Sequence, residues 1–415
     1  MTTKKANRSS FYYYIKKYRI AYLFILPTLI GMIIMHLIPI VQGIYMSFLK
    51  LDSFTLGQYL AAPLVWHKNY YDILLNPQSP MRIGIFDSIR NTFIYTILVT
   101  SGQIAIGMLV ALVLNIDFKG RGFVRSLFLF SWIVPTYVTG ILWGFMWQQS
   151  IGIINTIVYD FFKWHLIAPY INKLIKLLFI DKLLNVLNLL IDLNNLVINF
   201  LHNLIPIVPG LVYYYFLVLA FIGISVVIYK KYSKKIGWTF FYVSVFLWFM
   251  ALINVHIPTA ISIAYRPFWL VGPNTIWAII VPTIWRYWPM SMLMLLAGLQ
   301  SIPLELYDAT KIDGASRWTT FWKVTWPMLQ PVWMILILFG MIYNVYSFNI
   351  VIMMFGNGAG FPGEWGDLMM TNIFRNSFMR WDFGAGAATS VLLLVIMVFA
   401  VNLWFRFYKK SEENI

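Results

Sequence analysis

Side chains that could do chemistry are scarce in these 415 residues, and most of those present are excluded from it. There are no cysteines, so disulfides and thiolate metal sites are ruled out. The five histidines, His36, His67, His165, His202 and His256, are scattered without ligand spacing, which argues against a zinc site. Asp and Glu total 15, nearly all between apolar runs. No HExxH and no Ser-Lys or Ser-His pair lies inside such a run, as hydrolytic chemistry within a membrane would need. The glycine-rich stretch 356–363 lacks the Lys-Ser/Thr that a phosphate-cradling loop requires. Two groups of residues remain. The first is a polar island at 302–327. Pro303 is tolerated in a first helical turn, and Glu305 and Asp308 suit that turn's positive dipole end. Leu304, Leu306, Tyr307 and Ala309 offer apolar contact on a short helix, and Gly314 lets the chain break and reverse. The second is a set of polar groups inside apolar runs: Arg286, and Tyr343, Asn344, Tyr346, Ser347 and Asn349. Lipid penalises such groups, so function is their default reading. Tyr343, Tyr346 and Ser347 can share a helix face at i, i+3 and i+4. Polar residues bonding helix to helix are an equal alternative. Arg286 could line a water-filled pathway, pair with a neighbouring subunit, or bond backbone carbonyls as a packing cation.

The elements that must hold these residues are membrane spans. The chain is 60% hydrophobic and 11% charged, against about 25% charged in globular domains. A helix needs about 20 apolar residues to cross a bilayer. The runs at 20–48, 92–115, 124–147, 207–229, 236–258, 274–298, 328–350 and 386–408 meet this, which predicts eight spans. They lack period-2 alternation, so the expected class is an all-α polytopic bundle and not a barrel. The first run is far longer than a signal-peptide core and is expected to be an uncleaved span. Net charge is +16, but the basic residues collect at span ends, which fits headgroups and topology better than nucleic acid. With the N-terminus inside, the inner segments carry 19 Lys and Arg, and the outer ones 11 over about twice the length. Both termini and the 302–327 island are therefore expected in the cytoplasm. The tryptophans Trp147, Trp238 and Trp269, at span ends, read as interfacial belt residues. Residues 166–201 are Leu/Ile-rich but interrupted by Lys173, Lys176, Asp181, Lys182 and Asp192, which predicts an amphipathic segment on the outer surface.

The island resembles the "EAA" loop of permease subunits in binding-protein-dependent ABC importers. That pattern, E-A-A, three residues, G, nine residues, I-x-L-P, falls on Asp308-Ala309-Thr310, Gly314, and Val324-x-Trp326-Pro327. The spacing is kept while Asp, Thr, Val and Trp replace Glu, Ala, Ile and Leu. Ile302-Pro303-x-Glu305-Leu306-Tyr307 and Ile312-Asp313-Gly314-Ala315-Ser316 resemble the carbohydrate-uptake branch. Further likenesses run in family order: Tyr22 to Pro27, Tyr45-x-Ser47-Phe48, Arg90-Asn91-Thr92, Gly152-x-x-Asn155, Trp269-Leu270 and Leu296 to Gln300. The resemblance implies a six-helix permease core with an inserted hairpin. Its divisions are a basic N-terminus at 1–19, three spans in 20–155, an insertion at 156–264, and three spans in 265–415 with the coupling loop at 300–327. It implies a subunit of an ATP-driven saccharide or polyol importer in the plasma membrane of a prokaryote, working by alternating access. The loop, with Glu305, Tyr307, Asp308, Ala309, Thr310, Asp313, Gly314 and Pro327, would seat in an ATPase subunit. A short helix with an apolar face and flanking charges suits a joint that transmits force. Implied partners are a second permease, in a heterodimer, two ATPase subunits that bind the ATP and Mg, an extracytoplasmic solute-binding protein and membrane lipid. This chain itself is expected to hold no cofactor and to catalyse nothing. Sugars present hydroxyls and flat C–H faces, so Arg286 and the 343–349 set would suit a substrate pathway. A polytopic secondary transporter and an integral-membrane enzyme are the alternatives.

Overall fold

The computed structural model describes residues 14, 17–76, 78–79, 82, 84–177, 182, 184–186, 188–193, 195–196, 266–355 and 361–412. The runs expected at 207–229 and 236–258, Trp238, and the glycines of 356–360 lie outside these residues. Long apolar helices dominate the described chain because the backbone can satisfy its own hydrogen bonds in lipid only that way.

In chain order the helices are α1 (Arg19–Met46, with a π turn at Ile33–Leu37), α2 (Lys68–Leu74) and α3 (Ile85–Leu114). Next come α4 (Arg121–Ile133), α5 (Thr136–Met146), α6 (Trp164–Leu177), α7 (Thr275–Gln300), α8 (Leu304–Ile312) and α9 (Arg317–Met328). The series closes with α10 (Gln330–Val345), α11 (Asn349–Met354), α12 (Met369–Phe374) and α13 (Phe383–Glu412). Four are long and apolar enough to cross a membrane alone: α1, α3, α7 with its leading turn, and α13 to Lys409. Two bent pairs bring the described total to as many as six. Six of the eight expected runs thus have helical counterparts among the described residues.

Two of those runs are not single rods. The run 124–147 breaks at Val134–Pro135, where α4 and α5 meet at 88°. The run 328–350 begins from a 65° turn at Leu329 between α9 and α10, and breaks again at Tyr346–Phe348 before α11. Proline supplies the first break by withholding an N–H and clashing with the preceding turn. Hydropathy does not register such a break, since the composition on both sides is the same.

The chain divides into two compact units. One comprises residues 1–70 and 376–395. Within it α1 has no buried residue, and the 47–70 loop is ordered by Asn69, whose Nδ2 donates to the carbonyls of Ser47 and Leu49 at 2.9 Å each. Leu51 accepts the amide of Gly384 at 3.0 Å. A Cβ at Gly384 would collide with the Leu49 carbonyl.

The other unit comprises residues 71–375 and 396–415. It is built on α3 against α7. Towards the ends of these helices away from the polar island, Tyr95, Val99, Ala278, Ile279 and Ile280 form one buried cluster with Trp147, Ile350, Val351, Met354 and Leu368. Towards the polar island, Met108, Ala111 and Leu114 form a second with Met292, Leu295, Leu299, Ile302 and Leu329. Small residues let the backbones approach. Cβ atoms at Gly107 and Gly144 would lie 2.9 Å from the Met292 amide nitrogen and 2.8 Å from the Met354 carbonyl. Packing through such seams is how helices associate when lipid removes the hydrophobic drive between them.

Trp147 is not a belt residue. Trp147 is buried, donates its Nε1 to the Ala278 carbonyl at 3.1 Å and lies 4.7 Å from the Trp269 ring. Trp269 in turn donates to Asn155 Oδ1 at 2.9 Å. An indole at a span end can pack inward when a carbonyl or amide waits for its N–H.

Candidate functional site

The polar island folds as a joint between two helices. Pro303 is the N-cap of α8, just before the first helical turn. Glu305 lies in that turn and Lys311 in the last, each favourable towards the helix dipole. The helix ends in a Schellman motif. Gly314 takes φ +68°, its amide donates to the Lys311 carbonyl at 3.1 Å, and the Ala315 amide donates to the Thr310 carbonyl at 2.9 Å. Ser316 then caps α9, accepting the Thr319 amide at 3.2 Å. Both helix ends at the reversal are therefore satisfied without help from outside.

One side of α8 holds it to the bundle. Tyr307 is half-buried against the second cluster, with its hydroxyl 3.3 Å from Thr325 Oγ1. Thr310 donates to the Tyr307 carbonyl at 2.8 Å and accepts from Thr320 Oγ1 at 3.3 Å. Tyr307 is thus an anchor to its own chain, not the outward contact that its place in the motif suggests, because helical phase turns position 307 inward. The other side is free. Leu304 is 75% exposed, Ile312 87%, and Asp308 between them is exposed too, an i, i+4, i+8 stripe of apolar, acid, apolar. Glu305, Ala309, Asp313 and Pro327 are likewise exposed. Asp308 pairs with Lys311 at 2.9 Å in the open, a contact worth little. Ile312, which the sequence marks only through its likeness to the carbohydrate-uptake branch, is the most exposed large apolar residue of the helix.

The polar residues of α10 and its C-terminal break divide into two sets. Asn344 is buried and donates its Nδ2 to Thr100 Oγ1 of α3 at 3.0 Å. Ser347 Oγ lies 2.9 Å from the hydroxyl of Tyr95, which also meets Thr283 Oγ1 at 2.8 Å. These two tie α3, α7 and the α10–α11 break together. Tyr343, Tyr346 and Asn349 are exposed, Tyr343 by 71%. The helix ends at Val345, so Tyr343, Tyr346 and Ser347 do not share one continuous face. Arg286 is half-buried in the middle of α7, its guanidinium 5.2 Å from the Tyr287 ring. Its Nε and Nη1 find no hydrogen-bond partner among the described residues. The members of the Tyr95–Thr283 pair lie 188 residues apart, so no spacing in the sequence marks it.

A third constellation lies at the end of the unit opposite α8. Asp367, 2% exposed at its side chain, accepts from Arg375 at 2.6 Å, Thr371 at 2.6 Å and Ser88 at 3.0 Å. Asn91 donates to the carbonyls of Glu364 and Asp367 at 2.7 and 3.1 Å. The start of α12 is thereby held on the start of α3. Sequence reasoning singled out only Arg90-Asn91-Thr92 here, since Asp367 lies some 280 residues away in the chain.

Comparison with known proteins places these features in context. The family model for the binding-protein-dependent transport system inner membrane component matches residues 103–411. The trehalose/maltose transport system permease protein MalF of Thermococcus litoralis is 24% identical over 385 residues, covering 92% of each chain. The inner membrane ABC transporter permease protein YcjO of Escherichia coli is 24% identical over 366 residues, 88% of this chain and 85% of that one. The sulfoquinovosyl glycerol transport system permease protein SmoG of Agrobacterium fabrum is 32% identical over 145 residues, 35% of this chain and 46% of its own. Among solved structures, a chain of a bacterial alginate ABC transporter in complex with an alginate pentasaccharide-bound periplasmic protein has a TM-score of 0.57 at 16% identity. The match covers 95% of this chain and 97% of that one.

Proposed function

The chain belongs to the binding-protein-dependent transport system inner membrane components, multi-pass proteins of the bacterial or archaeal plasma membrane, and from that membership we propose the following role. It is one permease half of an ATP-driven importer for a saccharide or related polyol. It pairs with a second permease, receives substrate from an extracytoplasmic binding protein, and is driven by two ATPase subunits that hold the ATP and Mg. The substrate class rests on relatives named for maltose, trehalose and a sulfoquinovosyl glycerol. Exposed Tyr343, Tyr346 and Asn349, with Arg286, are the pathway residues; Asn344 and Ser347 position the helices that carry them.

The observation that carries this role is the two-sided α8. Tyr307 and Thr310 fasten it to the bundle while Leu304, Asp308 and Ile312 stand free for a partner. A helix held on one side and open on the other can pass displacement from a motor protein to α7 directly and to α10 through α9.

A tagged copy purified in mild detergent is expected to bring down an ATP-hydrolysing subunit. Leu304→Asp with Ile312→Asp should release that subunit while leaving membrane insertion intact. Recovery of the intact assembly without any nucleotide-hydrolysing partner would overturn the assignment.

A further inference from the structure

A cavity of about 1250 Å³ opens beside the α8–α9 joint. It is larger than the roughly 300–1,000 Å³ usual for small-molecule sites. One wall is the half of α3 nearer α8, with Ile104, Leu109 and Leu112, and Ile337 of α10 also lines it. Its rim is aromatic. Trp318, Trp322, Trp326 and Trp333 form a ladder with successive ring centroids 5.6, 5.7 and 5.4 Å apart. Two cations, Lys311 and Arg317, complete the rim. Arg317 is exposed and makes no side-chain hydrogen bond or ion pair among the described residues; Lys311 has only the solvent-exposed Asp308.

From this arrangement we propose that the cavity is a binding site for an anionic phospholipid. The acyl chains lie along α3 and α10, the glycerol backbone sits at the indole ladder, and the phosphate is held by Arg317 and Lys311. Each part of that molecule has its counterpart. Long apolar walls suit hydrocarbon, indoles prefer the headgroup level, and basic pockets between spans on the cytoplasmic side take lipid phosphates. A saccharide would find too few partners, since most of the lining is apolar and the α3 wall offers only the hydroxyls of Thr100 and Ser101.

The site has a consequence for coupling, which rests on the function proposed above. Tyr307 and Thr310, which fasten α8, also line the cavity. A bound lipid therefore stiffens the joint, and ATP turnover coupled to transport should depend on anionic lipid.

The test uses the whole assembly in nanodiscs made from equal parts phosphatidylcholine and phosphatidylglycerol, followed by native mass spectrometry. The wild type should retain phosphatidylglycerol. Lys311→Gln with Arg317→Gln, which alters only exposed side chains, should reduce that retention by about tenfold, equivalent to 1.4 kcal/mol. Arg317→Lys should restore most of it. A photocrosslinker at Leu109 should capture lipid. Equal phosphatidylglycerol retention by the double variant, retention of phosphatidylcholine instead, or capture of a protein helix at Leu109 would each overturn the proposal. Lipid retention is read whether or not an ATPase subunit is present, so failure of the coupling role leaves this readout standing.

Discussion

Gly314 and Arg286 show how differently two residues can be constrained. At Gly314 the constraint is backbone alone, since a Cβ there would meet no atom within 4 Å yet φ is +68°. The left-handed conformation costs a residue with a Cβ about 1–2 kcal/mol, least for Asn, whose side chain tolerates it. Gly314→Val is therefore expected to unwind the α8–α9 reversal and abolish uptake, whereas Gly314→Asn should keep most of it. Substrate uptake into vesicles, with membrane insertion checked by immunoblot, separates the two. Equal uptake by both variants would remove the reversal from the coupling path. At Arg286 the constraint is charge. A cation at a span centre costs roughly 2.5–3.5 kcal/mol on the insertion scale, and no hydrogen bond to its Nε or Nη1 offsets this among the described residues. Arg286→Ala should thus leave thermal stability in detergent unchanged or raised while uptake falls. An unfolded variant would instead make Arg286 a packing cation.

Among the elements, the contrast is between what hydropathy reveals and what it hides. The long helices α1, α3, α7 and α13 are plain in the sequence, because a lipid-crossing helix must be apolar for about 20 residues. The breaks at Pro135 and Ser347 are not, because each falls inside a single apolar run. The burial of Trp147 is hidden for a related reason. Its place at a span end suits lipid headgroups and a buried carbonyl alike, and only the partner, Ala278, decides. The short helix α8 is legible because glycine, proline and charge at fixed spacing stand out against apolar flanks. The joint between α3 and α12 was illegible, since its residues are far apart in the chain. Asp367 makes it testable. Breaking a buried ion pair by deleting one partner costs about 3–5 kcal/mol, and Asp367 accepts from Ser88 and Thr371 besides Arg375. Asp367→Ala is expected to lower the midpoint of thermal unfolding sharply, and Asp367→Asn to lower it less by keeping the neutral hydrogen bonds. Unchanged melting in both would mean that α12 is held elsewhere.

For the molecule as a whole, the sharpest question concerns residues 156–264, expected from the sequence to be an insertion. The two ends of that stretch are clasped together. Arg266 pairs with Asp160 at 2.6 Å and donates to the Ser150 carbonyl at 3.0 Å. Gln149 donates back to the Arg266 carbonyl at 3.0 Å, and Asn155 to that of Pro267 at 3.3 Å. The chain thus leaves and rejoins the α3–α7 unit at one place. A linker of four glycine and serine residues, reaching about 13 Å when extended, should bridge Asp160 to Arg266 once 161–265 are removed. If the removed stretch crosses the membrane an even number of times, everything downstream keeps its orientation. The shortened chain is then expected to insert with its C-terminus in the cytoplasm, as a fused reporter would read, and still to recover its ATP-hydrolysing partner. A reporter on the opposite side would show an odd number of crossings. Loss of that partner with orientation preserved would mean that the insertion supports the joint at α8.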